Sequence, residues 1–251
     1  MALFTDGSIC STEDLRQYES SILDVASTEG IELGAKLKLA QREIGVIITA
    51  FLLEQQNGRS YARELSNIVV TDALAQWLSL QSLALTYRDV YNIQNNDRYL
   101  GKWKEYERLA AEASLRFFQV GVGITGDPVA QSELPVCGSA GGGTLPLTTY
   151  YVQTAWRSAL GSIGAPSEAL PVTTDPGTLL TVRAVRPPAN AVGWFVYVGQ
   201  SEDEMRRRNS APLAIGETWT VPAGGLGGGF DGEPGQAPDF YVTRTSEWRR
   251  G

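Results

Sequence analysis

Histidine is missing from all 251 residues. Its absence excludes zinc sites of the Cys/His kind, most hydrolase triads and the usual general base at neutral pH. Cysteine is scarce: Cys10 and Cys137 are the only two, far apart in the chain. The expectation is two ordinary thiols from a reducing compartment, not a disulfide framework. Basic charge is in deficit, with 21 Lys and Arg against 28 Asp and Glu. The deficit holds in both halves, 12 against 17 over residues 1–128 and 9 against 11 beyond. Neither half grips a phosphate backbone by overall charge; an acidic protein in contact with DNA lets it slide past. Long apolar runs are lacking too. Ile44 to Leu53, about ten residues, is too short to span a bilayer and suits a core helix. The opening MALFTDGSIC has neither a charged leader nor an apolar core, so no secretion signal is expected.

What is present falls into two styles. At 43% hydrophobic residues the chain can bury one large or two modest cores. The first style is helical and centres on Tyr99 to Val120. Tyr99, Trp103, Tyr106, Ala110, Ala113, Phe117 and Val120 recur every three or four residues, one apolar stripe with charges mostly off it. Such a helix needs others against it. Ser11 and Thr12 before Glu13 and Asp14 cap a first helix, expected to run to about Ser27. Gly30 ends it. A second helix carries Leu33, Leu37, Ala40, Ile44, Ile47 and Phe51, widened by Ile48 and Leu52, and is expected to be buried on more than one side. Asn57-Gly58 signals a turn. A third helix opens at Thr71-Asp72, with Leu74, Trp77, Leu80, Ala84, Tyr87 and Tyr91 on its main face. Asn95, Asn96 and Asp97 break it. Short connections predict an antiparallel bundle of about four helices.

After Gly121 the composition changes. Glycine and proline crowd residues 122–147, which read as a linker or extended arm. From Tyr150 the period is two, with Tyr150, Val152, Thr154 and Trp156 on one face. Leu179 to Val185 and Trp194 to Val198 are further strands, and Leu213 to Ile215 and Thr218 to Val221 shorter ones. Short strands separated by turn signals argue for a β-sandwich. Residues 224–235 then hold seven glycines, a flexible tether. Phe240, Tyr241, Val242, Thr243 and Arg244 are strand-like, and Trp248, Arg249 and Arg250 follow. A tethered strand can add to a neighbour or back to its own sheet. The expected fold is thus α+β and multidomain: a helix bundle over 1–121, a linker over 122–147, an immunoglobulin- or fibronectin-like sandwich over 148–222, and a tether with a docking segment over 223–251.

Candidate chemistry is thin. The glycines at 224–229 lack the strand-to-helix context and Lys-Ser/Thr of a phosphate loop. Asp231, Glu233 and Asp239 do not have calcium-loop spacing. Ser8, Cys10, Ser11 and Cys137 have no base to activate them. Arg206, Arg207 and Arg208 are the only basic run, and Glu202, Asp203 and Glu204 directly before it nearly cancel its charge. A solvated loop or interface ion pairs is the expectation there. Trp77, Trp103 and Tyr106 read as core. Tyr150, Trp156, Trp194 and Tyr197 read as sandwich core or a binding face. Trp248 stands beside two arginines in a polar tail, the residue types that anchor interfaces. No enzyme site, cofactor or metal is expected.

Two resemblances follow from these segments. TEDLRQYE (Thr12 to Glu19), the long second helix and VTDALAQWLSLQSLALTYRD (Val70 to Asp89) resemble the helical head-to-tail adaptor, or connector, proteins of tailed phages over about residues 11–121. TYYVQTAW (Thr149 to Trp156), Gly164-Ala165-Pro166-Ser167 and GWFVYVG (Gly193 to Gly199) are similar to fibronectin type III or immunoglobulin-like modules of phage structural proteins. In such modules Tyr150 would match the tyrosine before a late strand, and its piece here precedes GWFVYVG, which suggests a rearranged strand order. The first resemblance implies a virion neck protein, assembled in the host cytoplasm as a twelve-fold ring of its own copies. The ring would sit below the portal and above a tail or nozzle protein, with DNA passing through without sequence-specific binding and no membrane involved. It also implies C-terminal segments that dock into the portal or an adjacent subunit, which points to Phe240, Tyr241, Val242, Arg244, Trp248, Arg249 and Arg250. Arg206, Arg207 and Arg208 are a second interface candidate. The competing expectation is a ligand- or glycan-binding sandwich on a helical stem, for which the sandwich aromatics would have to be exposed.

Overall fold

The structure, a computed structural model, describes residues 1–55, 64–94, 97–230 and 234–244. It is α+β, helices first and antiparallel strands after, in two compact units that are each discontinuous in sequence. The helical unit is Gly7–Thr125 with the chain from Pro238. The sandwich unit is Met1–Asp6 with Gly126–Ala237.

Five helices are described in the first unit: α1 (Thr12–Tyr18), α2 (Ile22–Glu29), α3 (Leu33–Gln55), α4 (Asp72–Gln94) and α5 (Asp97–Val120). Ser11 and Asp14 close a capping box on α1. The single helix expected over 11–27 is broken at Glu19, whose carboxylate turns inward to accept from Lys102, Tyr106 and Ser21. Gly30, left-handed at φ +67, ends α2. The turn expected at Asn57-Gly58 and the break at Asn95 and Asn96 lie outside the described residues. Helix α4 is the centre, with Trp77 to Leu80 and Ser82 to Tyr87 buried. Ser79, Ser82 and Thr86 are tolerated there because each hydroxyl donates to a carbonyl one turn back, those of Ala75, Leu78 and Ser82. The ring contacts Trp77–Phe117, Tyr87–Tyr106 and Tyr91–Trp103 run in opposite order along α4 and α5, so these helices are antiparallel. Lys36–Asp89 and Gln81–Glu43 show the same for α3 and α4.

The second unit is a two-sheet sandwich. One sheet has the order β2 (Val136–Leu145), β5 (Thr178–Arg183), β8 (Trp219–Thr220); the other has β4 (Leu170–Thr174), β3 (Thr148–Ser158), β6 (Ala191–Gly199), β7 (Arg206–Arg207). Leu180, Val182 and Trp219 of the first meet Tyr150, Val152, Trp156, Trp194, Val196 and Val198 of the second in one core. Tyr150 therefore lies on the second strand of the sandwich and does not take the position before a late strand.

Three boundaries differ from expectation. The stretch 122–147 is no linker: β1 (Val122–Ile124) belongs to the helical unit and β2 is a strand of the sandwich. Gly143 fits only as glycine, since an added Cβ would meet Thr178 O at 2.0 Å. Met1–Asp6 joins the sandwich unit, where Gln131 N–H donates to Asp6 and Gln236 N–H to Met1 O, both at 2.9 Å. The glycine-rich segment does not hang free over its described part. Phe230 N–H donates to Arg207 O at 2.8 Å, and an added Cβ on Gly229 (φ +77) would meet Arg206 Cβ at 2.7 Å.

Candidate docking surfaces

The C-terminal arm adds a strand to its own chain. Phe240–Val242 form β9, antiparallel to β1 with Val122 opposite Val242 and Ile124 opposite Phe240. Asp239 N–H donates to Ile124 O at 2.8 Å, and Ile124 also bridges to Ile68. Val242 turns inward and is buried; Phe240 and Tyr241 stay exposed. The Arg244 guanidinium lies 5.9 Å from the Phe118 ring. The expected destinations were a neighbour or its own sheet; within the chain the strand joins neither sheet of the sandwich and pairs with β1 of the helical unit. Trp248, Arg249 and Arg250 lie outside the described residues.

The arginine run is ordered, not a solvated loop. Arg206 and Arg207 form β7 opposite Val198 and Tyr197. Arg208 is structural: its Nε and Nη2 donate to Val198 O at 2.9 and 2.6 Å, and Nη1 donates to Gly227 O at 2.5 Å. Burial, then the Arg206 charge, lower its pKa from the ordinary arginine value. The Arg207 guanidinium lies 4.9 Å from the Phe195 ring and 5.9 Å from the Phe230 ring. Arg206 is exposed.

A third surface escaped the sequence reading. Helix α3 buries Leu33, Leu37, Ala40, Ile44, Ile48 and Phe51. Its other side, expected to be buried as well, presents Leu39, Val46, Ile47, Ala50 and Leu53 to solvent. Val46 is 71% and Leu53 61% exposed. Leu39, Val46 and Leu53 recur every seven residues, two turns apart and therefore on one stripe. The spacing was visible in the sequence. That no element among the described residues covers it was not.

A polar cleft of about 440 Å³ in the helical unit is lined by Glu19, Asp24, Tyr87, Arg98, Tyr99 and Lys102 among others. Its groups satisfy one another. Lys102 Nζ and the Tyr106 hydroxyl donate to Glu19 at 2.7 and 3.0 Å, and the Tyr99 hydroxyl donates to Glu29 at 2.8 Å. Burial raises the Glu19 pKa, but the hydrogen bonds from Lys102, Ser21 and Tyr106 prevail and hold it below the usual value.

The remaining candidates are internal. Tyr150, Trp156 and Trp194 are buried in the core between the sheets, and Tyr197 is buried on the other face of its sheet with Ala155 and Phe195; none of the four is exposed as a binding face of aromatics would be. Trp77 and Tyr106 are buried as expected, whereas Trp103 is half-exposed and meets Tyr91 in a tilted ring contact. Phe118, not Val120, completes the buried stripe of α5. Cys10 and Cys137 are free thiols; burial pushes the Cys137 thiol up to about 11. Among the described residues no group of three or more Cys, Asp and Glu is placed to hold a metal ion. No described helix is long and apolar enough to cross a membrane. Set against known protein families, curated proteins and solved structures, the chain matches none.

Proposed function

We propose that the chain is a structural protein of a tailed-phage virion, a head-to-tail adaptor. Copies form a ring below the portal and above a tail or nozzle protein, and DNA passes through without being read. The observation that carries this reading is the exposed apolar stripe of α3. Val46 and Leu53 stand in water on a helix whose opposite side is closed-packed, and exposed apolar patches mark interaction sites. A ring supplies the missing cover, because each subunit meets a neighbour through two different surfaces. The excess of acidic over basic residues suits a channel that must not hold DNA. The reading assigns the chain no catalytic step. The glycan-binding alternative loses its main support, since the sandwich aromatics that would stack on sugars are buried.

The test is antibody–gold labelling of particles from the source, viewed by negative stain. Label at the single junction of capsid and tail is expected. Label on fibres or the capsid surface, or none at all, would overturn the assignment.

A further inference from the structure

The sandwich unit holds a cleft that the neck reading leaves unused. Its volume is about 580 Å³, and its lining includes Gly199, Asp203, Arg206, Arg207, Gly227 and Phe230. A cavity of that size suits a small molecule. Arg207 stands out among the lining residues. Two aromatic rings flank its guanidinium, and they fix the plane of a group that otherwise has many rotamers. Its Nε–H is buried and has no acceptor among the described residues. Directly opposite on the β6–β7 ladder is Tyr197, whose buried hydroxyl has no partner among them either. Cross-strand partners project from the same face of a sheet, so two orphaned donors share one place. Burial raises the Tyr197 pKa more than the Arg207 charge lowers it, so the hydroxyl keeps its proton.

Buried polar groups are seldom left unpaired, because each forfeits its hydration without return. The neighbouring arginine shows the contrast. Arg208 has spent its donors on Val198 O and Gly227 O, while Arg207 forms no ion pair among the described residues. An arginine held between two rings, lining a cleft and without an ion pair among the described residues is pre-organised for an external oxyanion. Exposed Arg206 and the carbonyl-bound Arg208 bring the positive charges of the same lining to three, against Asp203 and Glu204. The acids limit how much negative charge the cleft tolerates, which favours one anionic group over a highly charged polymer.

We propose that this cleft binds a small molecule through a single carboxylate or phosphate group held by Arg207. The site lies wholly in the sandwich unit and does not depend on the neck assignment. Inorganic phosphate and succinate serve as probes, each titrated into the full chain against sodium chloride at matched ionic strength. Binding is followed by the Arg207 Nε–H and the Gly227 and Gly228 amide resonances. A saturable shift with one or both probes, absent with chloride, is expected, and the more tightly bound probe identifies the group. Arg207→Gln should weaken that binding about tenfold or more, the loss of a charge-assisted pair. Arg207→Lys keeps charge and stem but not the fork, so it should weaken binding with the circular dichroism unchanged, even if the Gln variant misfolds. Shifts no larger than chloride gives, or equal affinity in the folded Arg207 variants, would overturn the proposal.

Discussion

Phe117 is fully buried against Trp77 and Phe118, whereas Trp103, on the same stripe of α5, lies half in water against Tyr91. Size alone would rank the tryptophan first; burial reverses the order. Phe117→Ala should cost about 3–5 kcal/mol, a core truncation that leaves a cavity. Trp103→Ala should cost about 1–2 kcal/mol, one partly exposed ring pair. Urea denaturation of the two variants checks this, and equal losses would contradict it. Glu19 is the residue at which pH acts on the helical unit. Burial raises its folded pKa, but donors from Lys102, Ser21 and Tyr106 prevail and hold it below the usual carboxylate value. A carboxyl with a depressed folded pKa contributes stability above its unfolded value and loses it as pH falls through the folded one. Glu19→Gln should therefore destabilise by about 1–3 kcal/mol near neutral pH, where charged hydrogen bonds are lost. In acid the gap between variant and parent should close. A gap that stays the same from neutral pH down through acid unfolding would mean the carboxylate's charge is not the cause.

β9 shows what one short element does for a unit formed from distant segments. It pairs with β1, and Val242 lies opposite Val122 in the buried side of that ladder. For a segment that only docked elsewhere, removing the chain from Asp239 would leave the fold intact. The pairing alters that expectation. Truncation should destabilise the helical unit, and Val242→Ala alone should cost about 1–2 kcal/mol for the two methyls removed. Urea unfolding followed at the helical circular dichroism band reads both; unchanged midpoints would show that β9 covers nothing of consequence. The same element shows why some of the fold was legible and some not. α5 and β3 repeat a buried side chain at the period of their own backbone, and α4 and β6, buried on nearly every side, read as dense apolar runs, so in each the signal is local. The break after α1 depends on Glu19 meeting Lys102 and Tyr106, more than eighty positions away. β2 is mostly exposed on both faces, so it has no alternation to display. Arg207 gains its setting from Phe195 and Phe230, which only the folded sheet brings to it. Local periodicity was readable; pairings across the chain were not.

At the scale of the whole molecule the unresolved demand is the stripe on α3. Leu39, Val46, Ile47 and Leu53 are exposed together on one helix, whereas the other exposed aliphatics of the helical unit, Leu23, Ile93, Leu115 and Val120, are spread over α2, α4 and α5. If copies of the chain cover one another there, charge on the stripe should block assembly without harming the subunit. Val46→Glu with Leu53→Glu is the direct test. Both positions are more than half exposed, so the isolated subunit should keep its stability within about 0.5 kcal/mol per site. Light scattering should then show higher-order species for the parent and a monomer for the variant at equal concentration, with matching circular dichroism spectra. Two carboxylates per interface oppose association both by desolvation and, around a closed ring, at every junction at once. A parent that stays monomeric at every concentration would place the cover elsewhere, on a different protein. A variant that assembles as the parent does would remove the stripe from the interface, and with it the observation on which the ring reading rests.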